Sequence, residues 1–402
     1  MTMSTNRLRA VLAVALCLVT SPALAVDIGS QDSLASVEVH AFASQGFILS
    51  KDNNYLAADT THGSFQFSEL GVNLTKSLTD RFRVGLQLFA QDLGPTGNYN
   101  IKADWFYLDY RLTNWLGVRA GRVKIPFGLY NDSADIDSAR VAVLLPQSVY
   151  PEENRNYLLA QTGGEVYGYV SLHAAGAFDY RLYGGTIFVD TTTTTPGSPY
   201  QIQSFNVPYL AGGRLLWETP VNGLRLGGSL QTLRLDASVL TTSPTTTAGV
   251  TPMPLSADIQ IPVVLWVASA EYVAGDLLLA AEYSRWYIGE NSSNAMVFPG
   301  SPTVTSERAY GLATYRASKW LQPGVYYSVM FPDVVDRSGR ANVQHDVSTT
   351  LRFDINAYWL IKAEAHYMLG TAGLDPTLNN GTPLSSLQQS WGVFLLKTTA
   401  YF

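Results

Sequence analysis

The sequence predicts an all-β protein, a transmembrane antiparallel up-and-down β-barrel of about 16 strands with long outer loops. Three observations indicate this fold class. Apolar and polar residues alternate with period two, the connections alternate between short and long, and charged residues are only 14% while aromatic residues reach 12%. A soluble domain averages about 25% charged residues. Few charges and many aromatic rings are typical of strands that face lipid on one side.

Period-two alternation is clearest near the end of the chain. In the segment 345–354, Val347 and Leu351 share one face, whereas Asp346 and Thr350 share the other. Such a pattern predicts strands with one dry and one wet face. The predicted strands start near Ser36, Gly63, Arg81, Ile101, Leu116, Gly164, Ala177, Pro208, Gly223, Gln260, Leu277, Thr305, Leu321, Gln344, Ala357 and Gln388.

The connections between these strands alternate regularly in length. Seven are short, at 78–80, 113–114, 174–176, 220–222, 274–276, 318–319 and 356. Eight are long, at 49–62, 93–100, 125–163, 190–207, 236–259, 290–304, 332–343 and 370–387. Outer-membrane barrels have short periplasmic turns and long outer loops. The alternation therefore predicts a 16-stranded barrel with both ends of the chain in the periplasm.

The start of the chain has the features of an export signal. Arg7 and Arg9 precede a short apolar run at 10–19, and Ala23 and Ala25 fit an A-x-A cleavage site. The run is shorter than the roughly 20 residues that a membrane-spanning helix needs. Cleavage would remove Cys17, the one cysteine, so we expect no disulfide.

The end of the chain is a β-prone segment, 390–402, that closes on Phe402. A terminal aromatic residue on such a strand resembles the assembly signal of bacterial outer-membrane barrel proteins. Together with the export signal it predicts a location in the bacterial outer membrane, with outer-membrane lipid as a partner. The predicted division of the chain is a signal peptide at 1–25, a short periplasmic lead at 26–35 and the barrel at 36–402.

The longest predicted connection, 125–163, follows the fifth strand and is too apolar for a disordered loop. Its residues 141–145 form an apolar run that needs burial, and the barrel interior is the nearest place. A barrel of sixteen or more strands encloses an aqueous channel. We therefore expect this third outer loop to fold inward and narrow the channel. The candidate constriction residues on it are Asp132, Asp135, Asp137 and Arg140.

Charged residues on the wet strand faces are the candidates for the channel wall. An Arg or Lys on the lipid face costs about 2–4 kcal/mol at mid-bilayer, so mid-strand charges should point inward. A wall of bases facing the loop acids would set up a transverse field across the constriction. Alternatively, these charges only hydrate the lumen and pair with one another, and the loop acids cap solvated turns. The candidate lining residues are Arg83, Asp109, Arg111, Arg119, Arg181, Arg214, Arg225, Arg352 and Lys362.

Two nearby segments carry a resemblance to a known family. The residues 104–110 (DWFYLDY) and 121–129 (GRVKIPFGL) resemble the phosphate-selective porin O/P family of bacterial outer-membrane sixteen-stranded porins. There, a strand ending in G-R-x-K-x-P-F-G-x leads into the constriction loop. The resemblance covers roughly residues 100–140. It implies a homotrimer of barrels that pass small hydrophilic solutes passively, with anions slightly favoured.

Arg122 and Lys124 within this motif fall on the apolar side of their strand if alternation is unbroken. We expect them to lie beyond the bilayer or after a bulge in the strand.

The expected function is therefore a water-filled channel for small hydrophilic or anionic solutes, without cofactor, metal or enzyme activity. The acidic balance of the chain, 32 acids against 26 bases, argues against nucleic acid as a partner. Two alternatives remain: a barrel enzyme that hydrolyses lipid or peptide, and a structural or adhesive barrel with a closed lumen. Catalytic residues are not indicated, since the five His lack ligand spacing. The neighbours His345 and Asp346 should point to opposite faces of one strand.

Overall fold

The computed structural model describes residues 36–94, 97–188, 200–241, 255–298 and 300–402 of the 402-residue chain. The predicted signal peptide and periplasmic lead, 1–25 and 26–35, lie outside the described residues. The described strands are β1 (Glu38–Lys51), β2 (Phe67–Ser77), β3 (Phe82–Leu93), β4 (Lys102–Thr113), β5 (Leu116–Lys124), β6 (Ala160–Ser171), β7 (Ala177–Ile187), β8 (Tyr200–Glu218), β9 (Leu224–Thr241), β10 (Ser256–Ala274), β11 (Leu277–Ser292), β12 (Ser301–Tyr315), β13 (Leu321–Phe331), β14 (Gln344–Asn356), β15 (Trp359–Gly370) and β16 (Ser390–Tyr401).

These sixteen strands form one closed antiparallel barrel in which sequence neighbours pair and β1 pairs with β16. Closure leaves no unpaired sheet edge, which lipid would not tolerate. At the seam, the backbone N–H of Phe402 donates to the carbonyl of Ala41, and Ala41 donates back to Phe402. The predicted fold class is confirmed.

The helical segments of the described residues are short. They are the α-helix α1 (Arg155–Leu158) and 3-10 turns at Thr60–His62, Asn131–Ser133, Asp137–Ala139, Glu152–Asn154, His173–Ala175, Arg340–Asn342, Pro376–Asn379 and Leu384–Ser386. No helix in the described ranges is long and apolar enough to cross a membrane.

The strands start within four residues of the predicted positions except in β8. That strand begins at Tyr200, not near Pro208, and its pairing with β9 shifts register around Pro208, between Asn206 and Tyr209. Proline has no N–H for the ladder and is tolerated in a strand at a bulge. The strand therefore continues through Pro208, its predicted start.

The outward face of the barrel is apolar and exposed. On β13, Val325 and Tyr327 are 45% and 47% exposed, whereas Tyr326 between them is 2% exposed. Near the strand ends that the short connections join, exposed aromatic side chains recur at Tyr110, Trp115, Tyr169, Tyr272, Tyr315, Trp320 and Trp359. An apolar surface bordered by an aromatic girdle is the surface that a membrane-spanning barrel presents to lipid.

The inward face is mixed in character. On β15, Lys362 and Glu364 are buried inside the barrel. On β10, the inward Val263, Leu265 and Val267 are buried as well, so this strand is apolar on both faces. These inward apolar residues pack against the loop between β5 and β6, which explains the departure from alternation.

Candidate functional site in the barrel lumen

The loop at 125–159, here called the inward loop, joins β5 to β6 and crosses the lumen. Near one end, Asp132 Oδ2 lies 2.7 Å from an Nη of Arg181 on β7. Further along, Asp137 Oδ1 lies 2.9 Å from Nζ of Lys362 on β15. In a barrel of sixteen strands, β7 and β15 are eight strands apart and form opposite walls. The inward loop therefore spans the bore and is held at both walls.

The strand that leads into the inward loop contains a glycine with an unusual backbone conformation. Gly121 has φ +133°, and a Cβ at this position would lie 2.4 Å from the carbonyl oxygen of Phe106. Glycine tolerates this backbone region at no steric cost. Beyond it, Arg122 donates to the carbonyl of Asp104 at 2.8 Å, and the Lys124 ammonium donates to the carbonyl of Asp132 at 2.8 Å. β5 nevertheless keeps its register with β4 and β6 through Gly121, so the expected bulge is absent from these pairings. Lys124 reaches the loop from the end of the strand.

A second glycine fixes the start of the loop against the wall. Gly128 has φ +61°, and a Cβ there would lie 2.3 Å from the Tyr150 hydroxyl oxygen and 2.8 Å from Glu282 Oε1. The N–H of Gly128 donates to Ser229 Oγ on β9, and the N–H of Leu129 donates to Glu282 Oε1 on β11, each at 2.9 Å. The backbone thus approaches the wall more closely than a side chain would allow.

Glu282 collects several hydrogen bonds at this place. Tyr310 donates to it at 2.8 Å and Ser269 at 2.5 Å, and the Tyr150 hydroxyl of the loop donates as well. Burial raises the pKa of Tyr150 well above its usual range, and the Glu282 carboxylate raises it further. Tyr150 therefore stays a neutral donor, and the loop is joined to the β10–β12 wall by a fully bonded carboxylate.

Asp132 lies between two arginines of the wall. Its Oδ2 is 2.7 Å from Arg181 and 2.8 Å from Arg214 on β8, and Arg181 also binds Glu165 at 2.6 Å. Burial opposes ionisation of Asp132, but the guanidiniums of Arg181 and Arg214 outweigh it and lower its pKa below 3.8. Asp132 is therefore ionised at neutral pH and neutralised by direct contact.

Asp137 occupies a buried cluster of bases at the other wall. Besides Lys362, its carboxylate lies 3.4 Å from Nζ of Lys397 and 3.7 Å from Nε of Arg140, and it accepts from Thr399 at 2.7 Å. Burial opposes its ionisation, but Lys362, Lys397 and Arg140 together hold its pKa well below the usual range. Lys362 also donates to the carbonyls of Asp137 and Ala142, at 2.7 Å and 3.2 Å.

The other two predicted loop residues, Asp135 and Arg140, also pair with groups of this chain. Asp135 pairs with Lys124, and Arg140 donates to the carbonyl of Ala134 at 2.7 Å. Burial would raise the pKa of Asp135, but the ammonium of Lys124 lowers it. Asp132 and Asp137 contact the wall bases directly, which is the alternative in which the lumen charges pair with one another. Such pairing offsets the cost of holding an ion away from bulk water. The transverse field across the constriction stays a prediction.

The apolar run of the loop is buried against the wall, as its composition required. The N–H groups of Val143 and Leu144 donate to the Glu364 carboxylate of β15 at 2.7 Å and 3.0 Å. Both side chains are at most 1% exposed. They pack in a cluster that includes Ile48, Phe67, Met368, Trp391 and Leu395.

Two of the predicted lining residues, Arg119 and Asp109, lie together on the wall of the lumen. Arg119 pairs with Asp109 at 2.9 Å and Glu165 at 3.1 Å. Its guanidinium carbon lies 4.7 Å from the Tyr107 ring and 4.9 Å from the Tyr167 ring. Two carboxylates and two aromatic rings thus hold Arg119 on the inner wall.

The others lie at different depths. Arg352 donates to the loop carbonyls of Ser138 at 2.6 Å and Arg140 at 3.0 Å. Arg225 binds Glu271 at 2.5 Å, with its own side chain 42% exposed. Arg83, 3.6 Å from Glu38, and Arg111 are exposed near the short-connection end, away from the inward loop. The structure therefore brings Arg181, Arg214, Arg352 and Lys362 to the loop, and leaves Arg83 and Arg111 outside this group.

Sequence reasoning missed one buried cluster. His366 on β15 binds Asp346 of β14 through Nδ1 at 2.9 Å and Glu364 through Nε2 at 3.0 Å. His345, as expected, points away from Asp346 and stacks on Tyr327. The inward alternation of both strands, combined with the register across their short turn, would have brought Asp346 and His366 together. No cluster of metal-ligating side chains occurs among the described residues.

Comparisons with known proteins agree with the fold. No protein-family model matches the chain, and no curated protein matches it. The solved structure of in-vitro folded OmpT of Vibrio cholerae in its trimer form has 12% identity and a TM-score of 0.53, covering 91% of this chain and 99% of that one. The complex of Salmonella typhi OmpF with daunomycin has 12% identity and a TM-score of 0.58, covering 93% and 100%.

A third similar structure is the anion-selective porin from Comamonas acidovorans, with 13% identity and a TM-score of 0.53 over 91% of this chain and 99% of that one. At these identities the likeness establishes the fold. This chain has the fold of the sixteen-stranded bacterial outer-membrane porins, and its apolar, aromatic-bordered outer surface is that of a protein of the bacterial outer membrane.

Proposed function

We propose that this protein is a narrow outer-membrane channel for the passive diffusion of small hydrophilic solutes. The observation that carries the proposal is the inward loop, which crosses a barrel of sixteen strands and is tied by ion pairs to Arg181 on one wall and Lys362 on the other. A barrel of this size encloses an aqueous bore. A loop pinned across it divides the bore and limits the size of solute that passes.

The charges around the loop support weak charge selectivity. Among the described residues, the connected networks of salt bridges that include the loop acids join seven bases to seven acids. The bases are Lys124, Arg140, Lys362, Lys397, Arg119, Arg181 and Arg214. The acids are Glu69, Asp109, Asp132, Asp135, Asp137, Glu165 and Asp179. Rings of charged side chains set ion selectivity in such pores. Because equal numbers of close positive and negative charges give little net potential, we expect the selectivity to be weak.

A slight preference for anions is the finer part of the proposal. Its support is the motif at 121–129, which resembles the phosphate-selective porin O/P family, and the anion-selective porin with a similar fold. The reversal potential in a KCl gradient tests this preference. An excess permeability for K⁺ would overturn the anion preference without affecting the channel.

The hydrolase alternative has less support. Activation of a serine by histidine needs a ring nitrogen that can accept the hydroxyl proton. His366, the buried histidine of the lumen, has both ring nitrogens engaged by carboxylates, Asp346 and Glu364. We therefore propose a non-enzymatic channel. Release of product from lipid or peptide substrates by the purified protein would contradict this.

We further propose a homotrimer in which each barrel conducts separately. The similar OmpT structure is described as a trimer form, and the apolar outward face offers surface for packing between barrels as well as for lipid. The native protein in mild detergent should have the mass of three chains by light scattering. A single-chain mass would refute the trimer.

Export is a separate part of the proposal. We propose that residues 1–25 are removed and that the mature protein begins at Val26 with a lead of ten residues before the barrel. N-terminal sequencing of the protein from outer membranes tests this directly. An N-terminus at Met1 in the assembled protein would exclude it.

Liposome swelling tests the channel itself. Vesicles containing the folded protein should swell in solutions of a pentose, more slowly in a hexose and hardly at all in a trisaccharide, because the loop narrows the bore. Vesicles with the same amount of heat-unfolded protein are the control. Vesicles that stay sealed to the pentose would overturn the proposed function.

A further inference from the structure

A cavity of about 160 Å³ lies beside the inward loop, towards the long-loop end of the lumen. The loop supplies one side of it, and the inner faces of β12 to β15 supply the other. Residues from the first and last long connections complete the lining. The lining residues used below are Leu56, Glu153, Arg308, Met330, Asp346 and Met368.

Arg308 on β12 is a basic residue in the lining of this cavity. It is 9% exposed, its Nε donates to Ser306 Oγ, and one Nη donates to the loop carbonyl of Ser148, both at 3.0 Å. The Trp286 ring lies 3.6 Å from its guanidinium carbon. Among the described residues, it makes no ion pair, and its Nη2 makes no hydrogen bond. A buried guanidinium is thus held in a fixed plane with one donor edge unused.

The acids of the cavity do not neutralise Arg308. Asp346 is engaged by His366 at 2.9 Å and by the Tyr326 hydroxyl at 3.1 Å. Glu153 lies at the exposed rim. A buried charge without a partner is costly, whereas a charge-assisted bond to a carboxylate recovers much of that cost. The unmet requirement at Arg308 is therefore an anionic group.

Apolar and adaptable side chains complete the lining around Arg308. Met330, its register partner on β13, lies beside it, and Met368 and Leu56 also line the cavity. Methionine side chains adjust to irregular apolar partners. An apolar cavity of about 150 Å³ holds a molecule the size of benzene. The cavity therefore suits a solute of about six carbon atoms, with the carbon of its polar group included.

We propose that this cavity binds a small organic monocarboxylate, with the carboxylate on Arg308 and the short apolar body against Met330 and Met368. This inference rests on the proposed function in one respect: the monocarboxylate would be a solute of the proposed channel. The binding step itself does not require conduction, so each can fail without the other.

The test is calorimetric titration of the folded, detergent-solubilised protein with hexanoate, and with hexanamide as its neutral match. Hexanoate should bind and hexanamide should bind much more weakly. Arg308→Gln should weaken hexanoate binding about 10-fold to 100-fold, the range expected for a hydrogen bond to a charged group. Arg337→Gln, a matched change at an exposed loop arginine outside the cavity, should leave it unchanged.

Ala372→Leu provides a second test that keeps Arg308. Ala372 lines the cavity from the last long connection, and a larger side chain there should block hexanoate without disturbing the barrel. Equal hexanoate binding by the wild type and by both variants, or equal binding of hexanoate and hexanamide, would overturn the proposal. Hexanoate binding by a protein that does not conduct would retain the site and refute only the channel.

Discussion

Lys362 Nζ lies 2.9 Å from Asp137 Oδ1, and the two side chains are 0% and 1% exposed. The same carboxylate lies 3.4 Å from Lys397 Nζ, also fully buried. Removing one partner of a buried ion pair leaves an uncompensated charge in a low-dielectric site. The inward loop is therefore tied to β15 and β16 by an interaction that neither side can lose separately without a large cost.

Asp137→Asn should release the loop from this wall. It leaves Lys362 without its acid and Lys397 with Glu69 alone, at a cost of about 3–5 kcal/mol to the docked state. We expect a larger single-channel conductance and faster protease cleavage within 125–159. Asp333→Asn, at a half-buried aspartate of another long connection, should behave as the wild type. Unchanged conductance and protection in D137N would show that the pair does not hold the loop.

Acid should open the channel only below about pH 4. Wall and loop bases lower the pKa values of Asp132, Asp135 and Asp137 below the ordinary 3.8. Groups with depressed pKa values contribute stability above that ordinary value and lose it as pH falls through their values in the folded protein. Conductance should therefore stay level from pH 7 to about pH 4 and rise below it.

Glu152 works in the opposite direction and sharpens this test. Burial raises the pKa of Glu152 in the docked loop. As pH falls towards the ordinary pKa of a glutamate, the docked loop therefore takes up a proton more readily than a released loop, which favours docking. This proton uptake is complete before the aspartates titrate. A rise of conductance beginning near pH 6 would mean that other groups control the loop. The same measurements in Glu152→Gln should show an unchanged rise below pH 4.

Gly128→Ala should disturb the loop at its other anchor. An alanine there must adopt φ +61° with its Cβ 2.3 Å from the Tyr150 oxygen, and a strained backbone of this kind costs about 1–3 kcal/mol. We expect weaker protection of 125–159 from protease and noisier single-channel currents. Gly311→Ala is the matched control, since a Cβ there meets nothing within 4 Å. Equal protection from protease in both variants would show that Gly128 does not anchor the loop.

Arg119→Gln should shift selectivity towards cations. The change leaves Asp109 without this partner and Glu165 with Arg181 alone. A unit charge acting at about 4 Å in water is worth about 1 kcal/mol, which allows up to about a fivefold change in the permeability ratio. The reversal potential in a KCl gradient measures it. An unchanged potential would place Arg119 away from the ion path.

The sequence was sufficient for the architecture because lipid imposes it on every strand. Alternation on β14 and β15 identified the inward Asp346 and Lys362, and the apolar run at 141–145 indicated where the long loop must go. The start of β8 was wrong because a bulge lets the strand continue through Pro208.

The contacts of the site could not be predicted from the sequence. The acids Asp132 and Asp137 could be assigned to the loop, but not to Arg181 or Lys362, since strands eight apart in sequence order meet only through the folded loop. The apolar inner face of β10 also breaks the expected alternation. It is explained by the inward loop that covers Leu265 and its neighbours, a partner that a local pattern does not reveal.

Planar-bilayer recording of the wild type beside D137N shows whether the inward loop, pinned across a hollow barrel, narrows its bore. We expect small, stepwise, ohmic currents for the wild type at neutral pH and larger steps for the variant. A bilayer that stays sealed with both proteins, although both are shown to be folded and inserted, would contradict this expectation.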